Sequence, residues 1–286
     1  IIPNRLGKHL TPSVVSMDED EQIYVGETAK ERGLLYPGST ASVFKRSMGS
    51  TKKFALGKKK FTAEELSSFV LRSLKEDAES YLGEPVTEAV ISVPAYFDDK
   101  RRKATKRAGE LAGLKVERII SEPTAAAIAY GLYEKTRNTK FLVFDLGGGT
   151  FDVSILELFE NILEVRAVAG DNYLGGEDFT DVLEKLFLQK KKIDPDKLDA
   201  KTRGMIHKAA EDCKLGFTDS TCSLFSCILD GKEEQLEITL KEYEEQCEPL
   251  LEKIRKPVQR SLSDAHIRLS DIDVVVLVGR ATRLPV

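Results

Sequence analysis

Tryptophan is absent from the 286 residues, and only three histidines and four cysteines are present. His9, His207 and His266 are scattered among polar neighbours and read as surface residues, so no nucleophile, base and orienting acid can be assembled around an imidazole. Cys213, Cys222, Cys227 and Cys247 show neither C-x-x-C pairing nor histidines at metal-ligand spacing, which points to structural thiols rather than a zinc site. No apolar run approaches the roughly 18 residues of a spanning helix. The first ten residues lack the apolar core of a signal peptide, so the chain reads as cytoplasmic with no membrane partner. A one-sided charge is missing too: 43 Lys and Arg are mixed among 47 Asp and Glu, for a net charge of -4. Without a basic face to neutralise a phosphate backbone, nucleic acid is not an expected partner.

What is present has the profile of an ordinary globular protein, 41% hydrophobic and 31% charged. The length exceeds what one core usually holds and suggests two lobes. Strands and helices alternate without long linkers or repeats, which predicts α/β architecture in each. Thr62 with Glu65 forms a capping box, after which Leu66, Phe69, Val70, Leu74 and Ala78 recur at helical spacing until Gly83. EAVISV (88–93) reads as a strand ended by Pro94, and Asp98 and Asp99 can cap a basic helix running to Gly113. RIIS (118–121) reads as a strand and EPTAAAIAYGL (122–132) as a helix whose alanines allow close packing.

The second half repeats this grammar. Strands are predicted at 141–146, 151–157 and 162–168, and a helix at about 177–190 with Phe179, Val182, Leu183, Leu186 and Phe187 on one side. Further helices are predicted at 199–215 and from 240 through Pro257, where the lost N–H should kink or divide the helix. A strand at 273–278 leads into GRATRLP. The boundary between lobes is expected between residues 136 and 137, giving a first lobe of 1–136 with a small subdomain at about 14–61. The second lobe then covers 137–286, with a small subdomain at about 175–254.

FLVFDLGGGTFDVSIL (141–156) carries the chemistry. A P-loop needs a Lys-Ser/Thr and a helix after its glycines, and a dinucleotide fingerprint also turns into a helix. Here Phe151, Val153 and Ile155 alternate with Asp152, Ser154 and Leu156, so Gly147, Gly148 and Gly149 form the tip of a β-hairpin. Backbone N–H groups in such a turn can cradle phosphate oxygens, and Asp145 and Asp152 can hold a hydrated divalent cation; an ordinary tight hairpin is the plainer alternative. Gly175 and Gly176 precede a helix start whose amides and dipole suit an anion, or form a plain turn.

DLGGGTFD (145–152), VPAYFDDKRRKATKRAGELAGL (93–114), SEPTAAAIAYGL (121–132) and LGGEDF (174–179), in this order, resemble the ATPase domain of the heat-shock protein 70 (DnaK-type) chaperones across essentially the whole chain. VFKRSMGS (43–50) and the short segment after it look closest to the HscC-like branch. The resemblance implies the actin-like (ribonuclease H-like) α/β fold, in which two lobes close around ATP or ADP, magnesium and potassium. It implies that Asp145 organises magnesium-bound water, that Gly147, Gly148 and Gly149 hold phosphate, and that Thr150 and Asp152 position the γ-phosphate and cations. Lys45 matches the lysine that neutralises the transferred phosphoryl group, and Glu122 the carboxylate that aligns the attacking water through the metal shell. Local reading alone makes Lys45 a solvated cation and Glu122 a cap. Glu211, Lys214 and Thr218 match positions around adenosine, Gly279 and Arg283 belong to the loop that approaches the nucleotide, and Pro94, Arg102 and Arg118 match a relay to the interdomain linker. The implied partners are the protein's own peptide-binding domain and a J-domain co-chaperone.

Departures are equally specific. Leu215 stands where many relatives stack an arginine on adenine, removing ~0.5–2 kcal/mol of cation–π attraction. Arg280 replaces a loop glycine, its side chain expected either to clash or to swing to solvent. The short segment at 47–62 argues against an exchange factor. The family's first phosphate loop, expected before IIPN, and the elements expected after Val286 lie beyond this sequence, which reads as a fragment. Two functions follow: an ATP-hydrolysing regulatory domain of a chaperone, or a nucleotide-responsive or inert interaction module. A sugar or acetate kinase on the same fold would need a substrate pocket and catalytic acid that are not evident.

Overall fold

Contacts divide the chain into two units, Ile1–Val93 with Phe97–Ser121, and Pro94–Tyr96 with Glu122–Val286. The computed structural model describes residues 1–131, 138–160, 162–229 and 231–286, so the expected boundary between residues 136 and 137 lies outside the described residues.

In the first unit, β1 (Val14–Met17), β2 (Ile23–Val25) and β3 (Thr40–Ser42) form an antiparallel sheet in the order β2-β1-β3, beside α1 (Glu27–Leu35). A hairpin of β4 (Lys53–Leu56) and β5 (Lys59–Thr62) runs into α2 (Ala63–Leu82). The capping box is complete, with the Glu65 amide donating to Thr62 Oγ1 and the Thr62 amide to Glu65 Oε2, and Gly83 closes the helix at φ 73°. Leu66 and Val70 are buried, but Leu74 is 43% exposed and Asp77 is buried instead. At 3.6 residues per turn Leu74 lies about 80° round from Leu66 and Asp77 only about 20°. The stripe therefore continues through Asp77, whose carboxylate accepts from the backbone and Nε of Arg5.

β6 (Glu88–Val93) and β7 (Lys115–Ser121) are parallel, joined through α3 (Asp99–Leu111), which Asp98 caps by accepting from the Arg101 amide. Ala104, Ala108 and Gly109 of this helix are buried, and Gly109 lies against the strands. A Cβ at Gly109 would stand 2.4 Å from Val116 Cγ2 and 3.0 Å from Ile91 Cδ1.

The second unit is built on a sheet in the order β10-β9-β8-β13, from β8 (Thr139–Leu146), β9 (Phe151–Phe159), β10 (Ile162–Asp171) and β13 (Val274–Val278). β8 and β9 are antiparallel, and β13 runs parallel to β8. Both faces of this sheet are covered. On one, Ala126 and Ala127 of α4 (Glu122–Ala129) pack with Phe141, Val143, Leu156, Leu158 and Val276. On the other, Leu142, Phe151, Val153 and Ile155 join the larger core of α5 (Gly176–Lys191), α6 (Ala200–Gly216), the hairpin of β11 (Cys222–Leu229) and β12 (Lys232–Thr239), and α7 (Leu240–Asp264). Inside that core Phe187 stacks on Phe225, and Phe217 on Tyr243, whose hydroxyl donates to the Phe179 carbonyl.

Three of the four free cysteines are buried in this unit, and burial holds the thiols of Cys213 and Cys227 up and pushes that of Cys247 to about 12, as structural thiols require. α7 corrects one expectation: it is not divided at Pro257 and runs unbroken past both Pro249 and Pro257. The carbonyls these prolines leave without a helical donor belong to Glu245 and Lys253, both exposed, so water can satisfy them. His9 and His266 are exposed as expected, whereas His207 is half-buried. Among the described residues no helix is long and apolar enough to cross a membrane.

Gly109→Ala should lower stability by about 1–2 kcal/mol in denaturant unfolding, because the overlap with Val116 outweighs the ~1 kcal/mol helix-propensity gain of alanine. Adding Val116→Ala should recover part of that loss; strictly additive effects would contradict this packing.

Candidate functional site

The turn between β8 and β9 consists of Gly147, Gly148, Gly149 and Thr150, closed by the Gly147 amide donating to the Thr150 carbonyl at 3.0 Å. Directly beneath it, Asp145 and Asp152 face each other in register, so their carboxylates share one face of the sheet, Asp152 buried and Asp145 half-buried. Like charges set opposite one another across a strand pair are unfavourable, and a cation held beside them relieves that repulsion. A methyl group added at Gly148 would meet nothing within 4 Å, so the middle of the turn is open.

The start of α5 is committed to this turn. The Gly176 amide donates to the Gly147 carbonyl at 2.9 Å and the Glu177 amide to the Gly148 carbonyl at 2.8 Å, while the Gly175 amide donates to the Asp178 carboxylate. These donors, read from sequence as available to an anion, are taken up by the protein because the turn's carbonyls point at the helix start. The glycines serve close approach: a Cβ at Gly175 would lie 2.5 Å from the Gly149 nitrogen and 2.6 Å from the Gly148 carbonyl. Two further glycines support the turn from behind. Gly279, at φ 86°, lies where a Cβ would come within 2.2 Å of the Leu146 carbonyl oxygen, and Gly170 on β10 where it would come within 2.4 Å of that of Phe151.

Beside the turn is a cleft of about 220 Å³ walled by Gly148, by Gly176 and Glu177 of α5, by Glu211, Lys214, Leu215 and Thr218 at the end of α6, and by Arg280, Ala281, Arg283 and Leu284. The expected adenosine residues Glu211, Lys214 and Thr218 thus converge with Arg283 and the hairpin tip. Lys214 is buried, and its ammonium donates to the Gly176 carbonyl and Thr180 Oγ1, so it ties α6 to α5. Leu215 is exposed at the cleft edge. Arg280 is exposed and lines the cleft together with Arg283, while the close backbone approach is made by Gly279.

Glu122 is the first residue of α4, half-buried, and Thr150 ends the turn. Lys45 belongs to the first unit, exposed on the short turn Phe44–Ser47. Pro94 is buried, Arg102 Nε donates to the Phe97 carbonyl and Arg118 is exposed on β7.

One cluster was missed. His207 on α6 lies with Nε2 3.2 Å from Glu177 and Nδ1 3.2 Å from Glu184, and Asp181 is 3.9 Å away. Hydrogen bonds to Glu177 and Glu184 raise the imidazole pKa to about 10. The spacing of Glu177, Asp181 and Glu184 already placed three carboxylates on one helix face; only their partner on another helix was invisible.

Among known proteins, residues 1–55 and 51–286 match the family described as Hsp70 protein. The chain is 44% identical over 296 aligned residues to the chaperone protein DnaK of Thermotoga petrophila, covering 100% of this chain and 50% of that protein. The chain therefore spans about half the length of the curated relative it matches. Neither match bears on the HscC-like branch suggested by residues 43–50.

Gly175→Ala should destabilise the second unit by about 1–3 kcal/mol, since backbone rather than a side-chain tip must move, whereas Gly148→Ala should change stability by less than about 0.5 kcal/mol. Denaturant unfolding of the two variants checks this; equal effects would refute the close approach.

Proposed function

The chain belongs to the Hsp70 family and has its actin-like α/β ATPase fold, and from that premise we propose that it is the nucleotide-binding part of a chaperone that hydrolyses ATP to ADP. The observation that carries the reading is the cleft in which the glycine turn, the end of α6 and the loop of Gly279 and Arg283 meet.

In this reading adenosine lies along Glu211, Thr218 and Leu215, and Lys214 acts by holding α6 against α5. The open side of Gly147, Gly148 and Gly149 receives phosphate oxygens, and Arg280 and Arg283 add positive charge at the rim. Gly175 and Gly176 contribute by bracing the turn. The facing pair Asp145 and Asp152 suits magnesium and potassium, with Glu122 reaching the metal through water. Magnesium, when bound, neutralises phosphate charge and lowers the barrier to attack. Thr150 holds the γ-phosphate side of the turn, Lys45 supplies a fixed positive charge for the transferred phosphoryl group, and Glu122 orients water. Positioning and electrostatics then carry the rate enhancement.

Control of a peptide-binding domain through Pro94, Arg102 and Arg118, partnership with a J-domain co-chaperone, a cytoplasmic location and a role in stress belong to the same proposal. The short segment 47–62 speaks against the grip of an exchange factor. The inert-module alternative is the less favoured reading, because the close backbone approach at the base of the turn falls to Gly279 and Arg280 is a cation lining the cleft.

Titration calorimetry with MgATP tests the reading. Gly148→Ala should keep its stability yet bind about tenfold or more weakly, a loss of ~1.4 kcal/mol or greater, and Lys45→Met should bind nucleotide but fail in single-turnover hydrolysis. Negligible heat from the unsubstituted chain, or equal affinity in Gly148→Ala, would support the inert module, and unchanged turnover in Lys45→Met would remove that lysine from the mechanism.

A further inference from the structure

Asp181 and Glu184 of α5 and His207 of α6 bring one imidazole nitrogen and two carboxylate oxygens within 4.8 Å of one another, at a place no step of ATP hydrolysis uses. The separations from Nδ1 are 3.2 Å to Glu184 Oε2 and 3.9 Å to Asp181 Oδ1. For an ion about 2.0–2.2 Å from each ligand atom, adjacent ligands stand ~3–3.6 Å apart, so a small side-chain adjustment closes the set.

Glu177 distinguishes this cluster from a chance gathering of surface acids. Its carboxylate takes the other imidazole nitrogen, Nε2, at 3.2 Å. That fixes the ring with Nδ1 directed at Asp181 and Glu184, the carboxylate–histidine–metal arrangement that orients an imidazole ligand and raises its basicity. Three carboxylates around one imidazole also leave an excess of negative charge, with Lys185 the cation acting on Asp181 from the same helix and Asp178 adding to the negative side. The ligands are partly exposed, which leaves a solvent side for water molecules to complete the coordination.

We propose that Asp181, Glu184 and His207 form a binding site for a divalent first-row transition ion, zinc being the natural fit, that staples α5 to α6. Imidazole with carboxylate favours zinc, cobalt or nickel over magnesium and calcium, which prefer oxygen alone. Binding forms the bond from Nδ1 to the metal and releases the Nδ1 proton to solvent. Because α5 and α6 also wall the nucleotide cleft, the ion would hold that wall without touching nucleotide, and the site is independent of the proposed ATPase activity.

Cobalt(II) added to the nucleotide-free 286-residue chain should give a visible d–d absorption band that saturates near one equivalent without thiolate charge transfer. Asp181→Asn, Glu184→Gln and His207→Gln should each weaken binding about tenfold or more, and Glu177→Gln about tenfold through the imidazole it orients. Circular dichroism identifies any variant that fails to fold. For such a case, NMR of the unsubstituted chain should show cobalt-induced shifts centred on His207. No band, a thiolate band from the cysteines, a full-strength band in folded His207→Gln, or shifts centred elsewhere would each overturn the site.

Discussion

Two backbone hydrogen bonds join the hairpin tip to a helix: the amides of Gly176 and Glu177 at the start of α5 donate to the carbonyls of Gly147 and Gly148. They require the backbones to approach so closely that residue 175 can carry no side chain. The same bonds turn the carbonyls of Gly147 and Gly148 toward the helix and place Gly148 beside Gly176 and Glu177 on the wall of the cleft. Positioning of the turn, orientation of its amides and the wall of the cleft thus rest on one contact between backbones.

Packing reinforces that contact from both sides of the sheet. The apolar residues of β8 and β9 are buried on one face by α4 and on the other by α5 and α7, so the strands that carry the turn have no freedom to slide. Lys214 adds a link from α6 to the Gly176 carbonyl, and Gly279 and Gly170 let the neighbouring strands press against the base of the turn. The pair Asp145 and Asp152 is held in register on this rigid frame. A rigid frame is what catalysis by positioning and electrostatics demands.

Much of this was legible in the residues. Thr62 and Glu65 announced α2, Asp98 announced α3, and DLGGGTFD announced a hairpin with facing carboxylates, because each is a local pattern whose cause lies within a few residues. What was not legible depends on partners distant in sequence. Leu74 fits the helical period but loses its place to Asp77 because Arg5 arrives from elsewhere. The amides of α5 look available to an anion until the hairpin is seen to occupy them. Pro257 argues for a kinked or divided helix, yet the helix is not divided there, and the carbonyl left without a helical donor belongs to exposed Lys253, where water can replace the missing amide. His207 reads as a surface residue until α6 is laid beside α5.

Amide hydrogen exchange at Gly176 and Glu177 in the nucleotide-free chain tests the central contact. First-turn amides of a helix ordinarily have no intrahelical partner and exchange quickly. Here both should be protected as strongly as the interior of α5 and the strands β8 and β9. Exchange at the rate of an unstructured peptide, with the rest of α5 protected, would contradict the account, because the hairpin would then not be held by the helix.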